Sequence, residues 1–406
     1  MEVRGEAGLT VAVLCLVFAL WPVVAFIGGL GFTPLTGIAA LVTSPVSVPR
    51  LRVRIYMAAL IAYLAYATVS IFWSPQPLAL VDFERLTVRS EVMRIGLLLL
   101  AGGALIAATG AMNDRGRMLV GRVAVVALLV QLVAVVVLAI FEKQAIQFFY
   151  GNRPDDEGVQ NITRNCIIMA VAAPFLVLGL TEGRSRFVAI AIGAVIVLAE
   201  VAVLMKREVD AGLLAMLVTA VCYGITRIFP RNGFRILGGL IAAAVMTAPF
   251  VFQVITTGAN AVTATNSVGY RQAIWQRVLE VISENPVFGS GVGALRTYRE
   301  LIPDGVFVNQ FYIPNHPHNM LLQLWAETGA IGAALVSATI VLVAFRLPSP
   351  AALGPATPRI AAVVGGMIAT WVSFDLWNEW WWAVCCLLAT LVAVKAGQGR
   401  TEGAAG

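Results

Sequence analysis

The sequence predicts an all-α polytopic membrane protein with about twelve transmembrane helices, and three observations carry that prediction. Of 406 residues, 59% are hydrophobic and only 12% are charged, about half the charged share of soluble domains. Apolar stretches of roughly 20 residues recur along the whole chain, each long enough to span a bilayer as a helix. The charges between these stretches also segregate by side. A β-barrel is excluded, because its strands would alternate apolar and polar residues over short segments.

Taken in order, the first stretch is 9–27. The segment before it, Met1 to Gly8, has weak positive character and no small-residue cleavage site. It reads as the lead into a retained span and not as a signal peptide. The second stretch, 30–44, is short and interrupted by Pro34, which removes a helical hydrogen bond. The stretches 53–72, 93–110, 119–140, 165–180, 187–204, 211–228 and 236–255 follow. After a long polar gap come 319–344, 360–376 and 380–395. Cys15, Cys166, Cys222, Cys385 and Cys386 lie inside apolar stretches without metal-ligand spacing, and read as small packing residues.

Charge tests the count. With the N-terminus in the cytoplasm, the inside loops hold Arg50, Arg52 and Arg54, then Arg115, Arg117 and Arg122, then Arg227, Arg231 and Arg235. Together with the remaining inside segments they carry about +11, against about −3 outside and −2 from Glu200 and Glu327 within spans. The net charge of +6 is therefore positive-inside bias and not a nucleic-acid patch. An even number of spans with both termini inside fits this asymmetry. The chain reads as a single integral membrane domain, 1–406, with outer loops at about 141–164 and 256–318. The second is too long to be a plain connection; loops of this size are functional or disordered.

Residues 269–284 carry a helix pattern. Ile274, Trp275, Val278, Leu279, Val281 and Ile282 share one face, and Gln272, Gln276, Arg277, Glu280 and Glu284 the other. Arg271 falls on the apolar face and Arg277 on the polar one. A cation on a buried face needs an anionic partner, and guanidinium suits phosphate or carboxylate. The plainer alternative is that Arg271, in the first turn, reaches water. Pro286 ends the helix, and Gly289, Gly291 and Gly293 then mark a turn or a close backbone approach. No strand precedes them, so a dinucleotide-binding fold is rejected.

The only two histidines sit in Asn315-His316-Pro317-His318-Asn319, at the entrance to the tenth apolar stretch. Histidine titrates nearest neutrality, and ionisable groups at a membrane edge are functional by default. A helix-capping cluster is the plainer alternative. Asn319, Gln323 and Glu327 form a polar stripe at four-residue spacing, with Glu327 about 13 Å from His318 by helical rise. A metal site is not expected, since no third ligand accompanies the histidines. Two further cationic clusters lie at the outer edge, Lys206 with Arg207 and Arg164 in Asn161-Ile-Thr-Arg164; both also fit simple snorkelling.

Tyr270-Arg271, Trp275, Asn285-Pro286, Gly289-Ser-Gly291-Val-Gly293, His316-Pro-His318-Asn319, Gln323 and Glu327-Thr-Gly329 together resemble the O-antigen ligase and polymerase family, over about residues 266–335. The resemblance implies an architecture similar to C-type glycosyltransferases in the bacterial inner membrane, with a helical periplasmic loop. It also implies glycan transfer from an undecaprenyl diphosphate donor on the periplasmic face, to a lipid A-core type acceptor or another glycan, without metal or other cofactor. His318 matches the family's key histidine and Arg271 its loop arginine. A further arginine is expected at the outer end of a middle span. The local Met205-Lys206-Arg207-Glu208 departs from the family pattern and leaves Arg207 and Lys206 as alternatives.

The expected roles follow from the chemistry. Negative charge develops on the departing diphosphate, where fixed cations (Arg271, Arg207 and either Arg164 or Lys206) stabilise the transition state. The attacking sugar hydroxyl loses a proton to His318, with His316 or Asn319 orienting; Glu327 completes the candidate substrate-binding set. Ligase and polymerase remain alternatives. A transporter would instead gather charges near midplane in repeated halves, and the sequence shows neither.

Overall fold

In the computed structural model the described residues are 2–52, 54–75, 81–82, 87–144, 147, 156–314 and 316–397. They form α1 (Glu2–Phe26), α2 (Phe32–Val42), α3 (Ser44–Ser47), α4 (Ile55–Ser70), α5 (Glu91–Ala108), α6 (Asp114–Ile140), α7 (Asp156–Thr181), α8 (Arg186–Lys206), α9 (Asp210–Ile228), α10 (Gly233–Ile255), α11 (Ser267–Glu284), α12 (Met320–Arg346), α13 (Pro350–Leu353), α14 (Thr357–Ala369) and α15 (Glu379–Ala396). A two-residue antiparallel ladder, β1 (Val81–Asp82) with β2 (Thr87–Val88), is the sole sheet among the described residues. The protein is thus an all-helical polytopic membrane protein.

Ten helices among the described residues are long and apolar enough to cross a bilayer. Each of the twelve predicted stretches has a helical counterpart. The two that fall short of a full-length straight span are Met57–Trp73 and the pair Phe32–Val42 with Ser44–Arg50, which is bent by 62°. The bent pair nevertheless joins the two faces. At its start, a Cβ on Gly29 would lie 3.1 Å from the Trp380 ring, at the beginning of α15. At its end, Arg50 pairs with Glu6 in α1 at 2.9 Å. The interruption expected at Pro34 lies elsewhere. Pro34 sits in the first turn of α2, where its missing N–H has no helical partner to lose. The break comes at Thr43, with Pro45 opening the next short helix.

The start of α1 and the end of α15 lie on one face. Arg117 at the start of α6 donates to Thr109 O at 2.7 Å, to Met112 O at 3.2 Å and to Ala393 O at 3.2 Å near the end of α15. One guanidinium thus satisfies the carbonyls left over at two helix ends. Lys395 reaches Glu182 at 2.9 Å on the same face. The seventh helix starts at Asp156, well before the predicted 165, so Asn161 and Arg164 stand on a helix and not in a loop. Most of the preceding acidic stretch, residues 148–155, lies outside the described residues, as do Arg400 and Glu402 of the tail.

The long segment between α10 and α12 is ordered by packing. Asn266 caps α11 by accepting from Gly269 N, and Ile274, Val278, Leu279, Val281 and Ile282 are buried as the pattern predicts. The glycine run that follows serves both expected purposes. Gly289, Gly291 and Gly293 have φ of 72°, 90° and 79°, and the backbone packs tightly enough that a Cβ on Gly291 would sit 2.6 Å from Ser70 O.

This turn is tied to a break in α12, which is not one continuous helix: Gly329 has φ 61° and ψ −163°. Ser290 N donates to Ala326 O at 2.8 Å and Gly291 N to Glu327 O at 3.0 Å, while Pro286 O accepts from Ala330 N at 2.9 Å. The loop supplies the partners that the broken helix lost, which is what lets irregular backbone persist beside membrane-spanning segments. His318 and Glu327 therefore both belong to the first half of α12 and its entrance, before the break at Gly329.

Gly291→Ala is expected to destabilise the protein by about 1–3 kcal/mol from backbone strain alone, with the Ser70 contact adding to it. Gly37→Ala, in open space on α2, is expected to be neutral or slightly stabilising. Thermal unfolding of both variants in detergent checks this; equal midpoints would contradict the packing described.

Candidate active site

The histidine loop is fixed from three directions. Trp275 Nε1 on α11 donates to Pro317 O at 2.9 Å, which pins the proline between the two rings. Asn319 caps α12, its Oδ1 accepting from Leu321 N and Leu322 N, each at 3.1 Å. His318 N donates to His316 Nδ1 at 3.2 Å. These contacts hold His318 at φ 51°, a conformation that costs a non-glycine residue about 1–3 kcal/mol and clusters at functional positions.

The hydrogen bonds fix which nitrogen of each ring carries the proton. His318 Nδ1 lies 3.3 Å from Ser373 O. A carbonyl only accepts, so Nδ1 is protonated and Nε2 keeps its lone pair. His316 Nδ1 accepts from a backbone N–H, so its proton is on Nε2. The rings stand 4.2 Å apart at 59°. One imidazole thus offers an acceptor and its neighbour a donor. Burial pushes the His318 pKa down to about 4, helped by His316 and Arg271 and opposed by the Ser373 carbonyl. Burial also lowers that of His316, against the pull of Asp375. Both rings are neutral at pH 7, the form in which an imidazole can take a proton.

Ser373 is held in turn by the polar stripe of α12. Gln323 Oε1 accepts from Leu376 N at 2.9 Å, and its Nε2 donates to Asp375 Oδ1 at 2.8 Å. Glu327 Oε2 accepts from Trp377 Nε1 at 2.6 Å. Asp375 faces Arg296 at 3.8 Å, Arg296 reaches Glu91 at 2.7 Å, and Arg94 reaches Glu379 at 2.5 Å. Charge, hydrogen bonding and burial therefore run continuously from the loop after α14, through α12, to the starts of α5 and α15.

The predicted cations fall at the same end of the bundle with different surroundings. Arg271 is partly buried and makes no hydrogen bond or ion pair among the described residues; burial lowers its pKa, with Asp210 opposing. It is close enough to both histidines to disfavour their protonation. Arg207 caps α8 with its side chain 8% exposed, and pairs with Glu142. Lys206 beside it is exposed. Arg164 lies over the Trp380 ring at 5.8 Å and donates to Asn161 Oδ1 at 3.4 Å. Asn319 and Glu327 are buried, with 0% and 1% exposure. Asn319 Oδ1 is engaged in the cap, its buried Nδ2 has no partner among the described residues, and the Glu327 carboxylate accepts from Gln323 and Trp377, so both shape the site from behind.

Several members of the constellation did not stand out in the sequence. Ser373 contributes a backbone carbonyl, which has no residue signature. Asp375 and Arg296 are single charges, and only the fold brings them together. Arg296 did carry a signal, a cation directly after the Gly291–Gly293 turn. Glu142 was visible only as one charge in an acidic loop. Among the described residues no group of three or more His, Cys, Asp or Glu gathers as a metal site.

Residues 168–337 match the family described as O-antigen ligase, so the resemblance read from the sequence is borne out. Two curated relatives are both named "Putative polysaccharide ligase". The chain is 22% identical to one from Rickettsia conorii over 231 residues, 54% of each chain. It is 25% identical to one from Rickettsia bellii over 170 residues, 39% of this chain and 41% of that one. The match thus spans about half the length of these relatives or less. No solved structure matches the chain.

Asn319→Ala removes the acceptor for two helix N–H groups and is expected to cost about 0.5–2 kcal/mol, while Asn319→Ser keeps the cap. Unfolding midpoints of the two variants in detergent should separate accordingly. Equal midpoints would show that the cap does not hold this loop.

Proposed function

We propose that this protein transfers a glycan from an undecaprenyl diphosphate donor to a lipid A-core type acceptor, on the periplasmic face of the bacterial inner membrane, without a metal or other cofactor. The observation that carries the reading is a neutral histidine whose Nε2 keeps its lone pair, set near a partly buried arginine that makes no ion pair among the described residues. The family match over residues 168–337 and the two ligase-named relatives support it. The face assignment rests on the charge asymmetry of the loops.

In this reading His318 Nε2 takes the proton from the attacking acceptor hydroxyl as that oxygen reaches the anomeric carbon. The bond from the anomeric carbon to the diphosphate oxygen breaks, and the leaving diphosphate carries away the electron pair. Arg271 holds that growing charge through its planar fork. Arg207, Lys206 and Arg164 flank the same end of the bundle as further diphosphate contacts, with Glu142 exchanging for the donor at Arg207. His316 Nε2–H orients the acceptor. Asn319 and Glu327 hold the loop geometry behind the base.

The experiment is in vitro transfer from purified lipid-linked glycan to purified acceptor. His318→Ala should lose at least about 100-fold in rate, the lower range for a general base, while still binding donor lipid. The acid limb of kcat/KM should fall near pH 4, because a lowered pKa keeps the imidazole in its free-base form until protons bind at about 4. Chelators should leave the rate unchanged. Substantial activity in His318→Ala, or loss with chelator that added metal restores, would overturn the mechanism. In cells, a deletion strain should accumulate unligated lipid-linked chains; single-unit caps would make the enzyme a polymerase, and unchanged glycans would favour a transporter.

A second comparison isolates the donor contact. Arg271→Lys keeps the charge but loses the bidentate fork, and should lower kcat/KM by about tenfold or more. Arg277→Lys should be nearly silent, because Arg277 lies on the far face of α11 between Glu280 and Glu300. Equal activity of the two variants at equal expression would refute the assignment of Arg271.

A further inference from the structure

The face opposite the histidines carries a cavity that the transfer reaction does not use. It has a volume of about 800 Å³ and lies between the start of α6, the end of α7 and the end of α15. Arg115, Arg122 and Arg184 line it and make no ion pair among the described residues. Lys395 and Glu182, also on its wall, are paired with each other. Asp114 is the other acid at the rim, so the cavity keeps a net positive charge. Close helix approach shapes the floor: a Cβ on Gly179 would fall 2.2 Å from Val125, and one on Gly121 would fall 2.9 Å from the Lys395 chain. A narrow extension between the same helices leads to Arg359. Arg359 is 5% exposed; it donates to Pro355 O at 2.7 Å and makes no ion pair among the described residues.

An apolar groove of about 410 Å³ adjoins this basic cavity. It runs between α1 and α6, past Ala19, Pro22, Val123, Ala127 and Val130. Arg122 and Val126 line both. Beyond them, Leu129, Val130 and Val133 of α6 are at least 40% exposed on a membrane-spanning segment, where the surrounding medium is lipid. A cationic pocket at the membrane surface that continues into an apolar groove along a spanning helix matches the chemistry of one ligand, a phosphate ester carrying acyl chains. A soluble phosphate compound would use the arginines but not the groove. A neutral lipid would use the groove but leave three arginines unpaired.

We propose that this cavity and groove bind an anionic phospholipid of the leaflet opposite the histidine loop, with its phosphate among Arg115, Arg122 and Arg184 and an acyl chain along α6. The lipid joins the ends of α7 and α15 to the start of α6, on the face where α1 begins. It is a structural ligand of the bundle and not a substrate.

The test uses full-length protein purified in detergent and probed with phosphatidylglycerol, phosphatidylcholine and inorganic phosphate. Phosphatidylglycerol should raise the thermal midpoint and stay bound in native mass spectra, and the other two should do neither. The Arg115→Gln, Arg122→Gln, Arg184→Gln triple variant should retain the lipid about tenfold less well or worse. If that variant fails to fold, a photoreactive residue at Met118, inside the cavity, still decides the matter. It should crosslink phosphatidylglycerol from mixed vesicles in preference to phosphatidylcholine, and one at Leu240, exposed on α10, should show no preference. Equal effects of inorganic phosphate and phosphatidylglycerol would reduce the site to a phosphate pocket and overturn the proposal. So would equal retention of the two lipids, or no preference at Met118.

Discussion

The hydrogen bond from His318 Nδ1 to Ser373 O is the contact on which the rest of the site depends. It joins two segments that are distant in sequence, the loop before α12 and the loop after α14. It also sets the proton on one ring nitrogen and leaves the other open. The bond is useful only if both partners are rigid. The sequence meets that demand with side chains that end in backbone: Trp275 on Pro317, Asn319 on the first turn of α12, Gln323 on Leu376. Each cross-link replaces a backbone partner that an irregular loop lacks.

The same accounting explains the break at Gly329. A helix that stops within a membrane protein leaves carbonyls without partners, and in lipid such groups are costly. The turn after α11 supplies N–H groups to Ala326 and Glu327 and takes one from Ala330. Gly289 and Gly291 make this possible because no side chain fits against α12 or the end of α4. The loop and the broken helix are thus one unit. Its upper half, Met320–Thr328, is buried throughout and carries the support for the histidines on one side.

Much of this was legible in the sequence. Hydropathy found every helix among the described residues that is long and apolar enough to cross a membrane, because length and apolarity are properties of each stretch alone. Loop charge placed both termini on one side, and Arg50 with Glu6 and Arg117 with Ala393 bring the start of α1 and the end of α15 to one face. The period of α11 separated Arg271 from Arg277. What the sequence did not reveal came from long-range geometry. The Ser373 carbonyl is invisible in any residue pattern. The ion pair of Arg207 with Glu142 joins residues 65 positions apart. Pro34 looked like the breaker of the second segment, but a proline in a first helical turn breaks nothing. The break at Gly329 was hidden because glycine is tolerated within helices, and only its φ of 61° distinguishes this one.

The two rings make the central claim directly measurable, since the chain contains only His316 and His318. Uniform ¹⁵N labelling of histidine gives a nitrogen spectrum of two residues, from which tautomer and titration can be read together in detergent. The account predicts one ring protonated on Nδ1 and titrating near pH 4, assigned to His318 by its loss in His318→Gln, and a second protonated on Nε2. Two rings titrating near 6.5 with mixed tautomers would contradict it.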